Sequence, residues 1–293
     1  MVTNASAGAA DEESIRAAVA VLQGAADVRV ETCGRPAELA ALLDDRDGRQ
    51  IVLAGGDGSV HLLAATLHER GELSADNPVG LLPLGTGNDL ARSLGISLDA
   101  EAAASALLTG RARPLDLLVD DLGGVVVNVV HLGIGAEAAE QAGALKDKIG
   151  KAAYAVGSAV AGVRERGWAL RVEVDGEVVH DGEPVLMVGV CNGRTIGGGA
   201  EIAPSAVPDD GLLDVVIATS TGPLARLGFG VAMRSGEHVD RDDVLAVQGR
   251  RVTVSGDPFP ANADGELHEP AERRTWTVHH RAWSVVVPHH LSQ

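Results

Sequence analysis

Two glycine-rich segments are where this chain could do chemistry. Gly55-Gly56-Asp57-Gly58-Ser59 and Leu84-Gly85-Thr86-Gly87-Asn88 each follow a short apolar run, Ile51–Ala54 and Val79–Leu82. Glycine lets backbone N–H groups come close to an anion. Ser59 could cap a following helix, whose N-terminus favours phosphate. Either segment alone reads as an ordinary turn; the two together, at this separation, point to a nucleotide polyphosphate held between them. Asp57 has two readings. A carboxylate beside a polyphosphate can hold Mg2+ or orient the phosphates, and an aspartate also favours a tight turn.

The elements that must position these loops follow from the pattern around them. The apolar runs are short and bounded by Gly and Pro, which suits buried strands of a parallel sheet. Between them Val60, Leu63, Ala64 and Leu67 keep helical spacing, giving a strand–helix–strand unit. Parallel strands with a crossover helix bring both loops to the carboxyl edge of the sheet, where such sheets bind ligands. Further helices are expected over Asp11–Leu22, Pro36–Leu43, Asp89–Leu94 with Asn88 as cap, and Ala100–Thr109 ending at Gly110. A strand is expected over Val28–Thr32. After Arg113-Pro114, β-branched and period-two runs dominate: Leu115–Val119, Val125–His131, Leu170–Val174, Val185–Val190, Leu213–Ala218, Arg251–Val254 and Thr275–His279. These predict a second, antiparallel β-sandwich domain with one helical insertion from about Lys146 to Arg166.

GGDGS at 55–59 followed by PLGTGNDLAR at 83–92 resembles the diacylglycerol kinase catalytic family, which includes bacterial lipid kinases and the sphingosine and ceramide kinases. The resemblance covers nearly the whole chain. It implies an α/β Rossmann-like, nucleotide-binding domain over residues 1–114. It also implies an antiparallel β-sandwich substrate domain over 115–281, with 282–293 returning to the first domain. On the family pattern, Thr32 is a candidate nucleotide contact, although its residue-level reading as a helix cap stands equally. Asn4, with Ser6 and Gly8, becomes a candidate phosphate neighbour, and Ala5 replaces the family's proline. His61 and Leu62 stand where the family has Asn-Glu. The segment Asn128–Ala138 is similar to a family Gly-x-Gly run, with Glu137 in the acidic place. Asn192-Gly193 and Gly197-Gly198-Gly199 match its Asn-Gly and glycine triplet, which read as tight turns.

The resemblance also supplies acids. Val207–Leu212 is similar to a loop that binds a structural Mg2+, with Asp210 giving a carboxylate and Val207 and Leu212 giving carbonyls. Read from the residues alone, it is an Asp-Gly turn before a strand. Asp-Gly-Glu occurs at 175–177, 181–183 and 264–266, so the tripeptide by itself selects nothing. The family order selects the third: Glu266 as general base toward an acceptor hydroxyl, with Asp264 beside it or on Mg2+.

Composition bounds the partners. The 293 residues carry a formal net charge of -17, which argues against nucleic acid and against broad docking on anionic lipid. Aromatic residues make up 2%, so the core must be built of Ala, Val and Leu. Cys33 and Cys191 match no metal or redox spacing, which fits free thiols in a reducing cytoplasm. The first residues carry no signal-peptide pattern, and Ala152–Val163 is too short to span a bilayer. The resulting expectation is a cytoplasmic, ATP- and Mg2+-dependent lipid kinase that meets its lipid transiently at a membrane surface, with diacylglycerol as the acceptor. Pairing into a homodimer is implied by the family. The alternatives are a kinase of another hydroxyl, such as sphingosine-like lipids or NAD, and a non-catalytic ATP sensor.

Overall fold

The computed structural model describes residues 1–4, 9–133, 167–219, 228–229, 231–233 and 235–289. The expected helix at 146–166, and Ser6, Gly8 and Glu137, lie outside these residues. The chain forms two compact units, Met1–Leu117 with His279–Gln293, and Leu118–Val278.

The first unit alternates strand and helix: β1 (Val2–Asn4), α1 (Ala9–Gln23), β2 (Glu31–Cys33), α2 (Pro36–Asp44), β3 (Val52–Gly55), α3 (Asp57–Glu69), β4 (Gly80–Pro83), α4 (Asp89–Ser93) and α5 (Ala100–Thr109). The strands pair in the parallel order β2-β1-β3-β4. The buried side chains of α3 are Val60, Leu63, Ala64, Thr66 and Leu67, the helical stripe expected from sequence. At the β4 edge the end of the chain adds a parallel bridge, Val79 to Val285, with Val79 N–H bonded to Ser284 O and Val286 N–H to Val79 O.

The chain leaves this unit along β5 (Arg111–Asp120) and comes back along β16 (Glu266–Val287). The second unit holds β6 (Val125–Val126), β7 (Val129–Gly133), β8 (Trp168–Val174), β9 (Glu177–Val185), β10 (Met187–Cys191), β11 (Thr195–Ile196), β12 (Ala200–Glu201), β13 (Leu213–Ala218), β14 (Val244–Gly249) and β15 (Arg251–Ala263). One sheet runs β14-β13-β10-β7-β15-β16-β5-β6, with β8 and β9 branching from β15, and β11 pairs with β12. Its two faces carry separate cores. Val130 and Leu132 of β7 enter one with Trp168, Phe259 and Trp276, while Val129 enters the other with Met187, Cys191 and Ile202. Alternation along β7 thus places successive residues in different cores.

The structure corrects several boundaries. β2 is Glu31–Cys33 rather than Val28–Thr32, and the run over Val125–His131 is two strands with Val127 and Asn128 between them. The run over Arg251–Val254 continues to Ala263, through Gly256, Pro258 and Pro260. Those residues read as breakers, yet register shifts between Ser255 and Phe259 and between Phe259 and Ala261 accommodate them as bulges.

Candidate functional site

The two glycine loops meet. A Cβ placed on Gly85 would stand 2.4 Å from Gly56 Cα, and one on Gly56 would stand 2.8 Å from Gly85 Cα. Only glycine at both positions permits this backbone-on-backbone approach. Asn88 holds it in place: its Oδ1 accepts from Gly85 N at 2.9 Å and its Nδ2 donates to Gly85 O at 2.7 Å. Asn88 has φ 54° and ψ 41°, a left-handed conformation that asparagine tolerates. It is therefore a clamp on the loop and makes no side-chain cap to α4, a correction to its expected role. Arg92 Nε donates to Gly87 O at 3.1 Å and fixes the far side of the same turn.

The residue capping α3 is Gly56, and Ser59 lies inside the first turn, which corrects the expected Ser59 cap. Asp57 opens the helix and accepts from Leu90 N at 3.3 Å, tying α3 to α4. Burial holds the Asp57 carboxyl above the ordinary carboxylate range, and the neighbouring Asp89 carboxylate adds to this. N–H groups of Asp89, Leu90 and Asn88 pull the other way. A buried carboxylate with a second one nearby suits a hard divalent cation, which would relieve both terms, so Asp57 and Asp89 fit an Mg2+.

Asn4 ends β1 opposite Cys33, the last residue of β2, toward the sheet edge that carries Gly55, and Thr32 lies one residue before that end. Thr32 Oγ1 bonds Thr3 Oγ1 at 3.0 Å across the strands, and the cap position of α2 belongs to Arg35.

The acids from the end of the sequence stand in the second unit. Asp264-Gly265 is the two-residue turn between β15 and β16, with φ 51° and 100°, so both residues are left-handed as a type I′ hairpin requires. The Asp264 carboxylate accepts three successive N–H groups: Val127 at 2.6 Å, Asn128 at 2.9 Å and Val129 at 3.0 Å. Glu266, directly after the turn, is exposed. Asp175-Gly176 is a second such hairpin, its carboxylate accepting from Arg250 N and Arg251 N. Asp181-Gly182 lies within β9, beside a register shift. The hairpin form is thus shared by the chosen tripeptide and one rival.

A role that sequence reading missed belongs to Asn128. Its own N–H goes to Asp264, its Nδ2 donates to Thr195 O at 2.5 Å, and its carbonyl accepts from Asn192 N and Gly193 N, both at 2.8 Å. Asn192 Nδ2 returns to Val127 O at 2.8 Å. A Cβ on Gly193 would fall 1.8 Å from Asn128 Oδ1, which is why glycine follows Asn192. The only hint in the sequence was an Asn at the head of a Gly-x-Gly run and an Asn-Gly pair far away.

In the Val207–Leu212 loop, Val207 O accepts from Asp209 N at 2.9 Å and from Asp210 N at 3.4 Å, and Asp210 Oδ1 accepts from Leu212 N at 2.9 Å. Nearby, Asp214 is buried and bonded to Ser205 and Gln248; burial raises its carboxyl, and Asp210 raises it further. Oxygen donors beside a carboxylate pair suit a hard cation. Among the described residues no cluster of three or more His, Cys, Asp or Glu has metal-site geometry.

Comparison with known proteins adds to this geometry. Residues 1–119 match the diacylglycerol kinase catalytic domain, and residues 128–291 match the YegS C-terminal NAD kinase beta sandwich-like domain. A protein of Pseudomonas aeruginosa (strain UCBPP-PA14) named "Probable lipid kinase YegS-like" is 34% identical over 277 residues, covering 85% of each chain. One of the same name from Klebsiella pneumoniae (strain 342) is 32% identical over 216 residues, 72% of this chain and 71% of the relative. A solved diacylglycerol kinase from Bacillus anthracis str. Sterne aligns with a TM-score of 0.78 at 22% identity, covering 98% of this chain and 96% of the other, a likeness of fold.

Proposed function

The chain belongs to the YegS-like lipid kinases, and on that premise we propose that it transfers the γ-phosphate of ATP to the hydroxyl of diacylglycerol, giving phosphatidic acid. The observation that carries the ATP half is the contact of Gly56 with Gly85, clamped by Asn88. It leaves bare backbone on both loops at the N-terminus of α3, where phosphate is favoured. Gly55–Ser59 and Gly85–Asn88, including Thr86, hold the phosphates; Thr32 and Asn4 border the same edge. Asp57, with Asp89, would hold Mg2+, which when bound neutralises charge on the phosphates. Glu266 takes the proton of the acceptor hydroxyl as it attacks. Asp264 sets the position of Glu266 by locking its hairpin to residues 127–129. A second, structural Mg2+ would sit on Asp210 with the carbonyls of Val207 and Leu212, offsetting the repulsion between Asp210 and Asp214. No described helix is long and apolar enough to cross a membrane, so we place the meeting with lipid at a membrane surface.

The test is transfer of labelled γ-phosphate from Mg-ATP to dispersed diacylglycerol, monoacylglycerol, sphingosine, ceramide and NAD. Phosphatidic acid is the expected product, with Glu266→Gln and Asp57→Ala each slower by about 100-fold or more. Product on another acceptor alone would keep the kinase and replace the substrate. ATP binding with no turnover on any acceptor would replace the kinase with a sensor. Full activity in Glu266→Gln would remove Glu266 as base.

A further inference from the structure

At the opposite edge of the first unit's sheet, the amino ends of β1, β2 and β3 surround a cavity of about 300 Å3. Its wall is apolar, formed by Leu42, Leu43, Val52 and Leu107 among others. Arg29 and Arg49 line it as well, with Asp27, Glu31 and Asp45. An apolar hollow alone says little about an occupant, but these guanidiniums are held in position. Arg29 Nη1 donates to Asp45 O at 3.5 Å and Arg49 Nη1 to Asp27 O at 3.2 Å, so backbone carbonyls orient both.

Their carboxylate partners are replaceable. Arg49 pairs with Asp27 and Arg29 with Asp45, each at 2.8 Å, and Arg29 Nε also with Glu31 at 2.5 Å, but the Asp27 side chain is 82% exposed, that of Asp45 71% and that of Glu31 37%. Ion pairs this exposed contribute little, and an incoming anion can take either guanidinium without stranding a buried charge. Arginine suits a planar or tetrahedral anion because its donors form a fork. A volume of this size lies at the small end of ligand pockets.

We propose that this cavity is a second ligand site, separate from the glycine loops, for a single-chain amphiphile. Its chain lies along Leu42, Val52 and Leu107, and its phosphate or carboxylate head sits on Arg29 and Arg49. The proposal does not depend on the kinase reading, because neither the glycine loops nor Glu266 takes part.

The experiment titrates the full chain with dodecyl phosphate below its micelle concentration. Calorimetry gives affinity, and the amide resonances of Val52 and Leu107 give location. Inorganic phosphate and dodecanol run as the two half-ligands. Dodecyl phosphate should shift both resonances and bind at least tenfold tighter than dodecanol, and inorganic phosphate should leave both resonances unmoved. The double variant Arg29→Ala/Arg49→Ala, altered only at half-exposed side chains, should keep its melting temperature and bind dodecyl phosphate at least tenfold more weakly. Leu107→Trp should fill the cavity and abolish the shifts. Shifts confined to the neighbourhood of Glu266 would overturn the proposal, as would equal binding of dodecanol, equal binding of inorganic phosphate, or undiminished binding in the arginine variant.

Discussion

Asp264 and Asp175 make one natural comparison within a single molecule. Both open two-residue Asp-Gly hairpins, and both collect backbone N–H groups, three on Asp264 and two from Arg250 and Arg251 on Asp175. Asp264→Ala leaves three N–H groups without their acceptor and should lower stability by about 3 kcal/mol; on the proposed role of Glu266 it should lower kcat as well. Asp175→Ala should lower stability by a smaller amount and leave kcat unchanged. Denaturant melts beside turnover on the same samples check both. The sequence showed three equal tripeptides, because the N–H partners of Asp264 lie 135 to 137 residues away and those of Asp175 75 or 76, and they leave no local mark. The glycine loops were legible, since their chemistry is backbone chemistry and glycine is itself the signal. His131 was not. Burial lowers its pKa to about 4, and its Nδ1 is buried with no partner among the described residues. A base whose native pKa is depressed contributes full stability above pH 6.5, and that stability is lost as pH falls toward 4. Between pH 7 and pH 5 the loss should be about 2 kcal/mol, and His131→Leu should flatten it in urea melts at the two pH values.

At the scale of elements, the parallel unit was easy to read and the antiparallel one was readable only as a class. Short buried runs separated by helical spacing give β3, α3 and β4 directly. The long strands β15 and β16 hide because bulges, prolines and charged positions interrupt their alternation, and only the partner strands restore it. One buried group shows what such a strand depends on. Asp116 of β5 is fully buried and accepts from His280 Nδ1 at 2.8 Å and Arg281 N at 2.7 Å, both on β16. Asp116→Ala should cost about 3 kcal/mol by stranding those donors. His280→Ala should cost less, since that side chain is 49% exposed. A thermal melt of the two variants side by side tests the order.

For the whole molecule, charge and connectivity decide different things. The net charge of -17 predicts weak attraction to anionic bilayers. Co-sedimentation should show more protein on zwitterionic than on phosphatidylserine-rich vesicles, and the difference should shrink as salt screens the repulsion. Connectivity bears on how the molecule is made. Strand β16 bridges Val79 through Ser284, Val285 and Val286, so the first unit takes in residues that follow the whole of the second. Domains generally fold in the order in which they are synthesised. The β4 edge of the glycine-loop unit stays unpaired on that side until residues 284–286 have left the ribosome, so this unit should close after the other. The birth order of the two units is therefore inverted: Leu118–Val278 is complete in sequence before its elder neighbour. A chain truncated just before Ser284 and held on the ribosome by a linker long enough to clear the exit tunnel should carry a protease-resistant second unit and a first unit that is still cleaved.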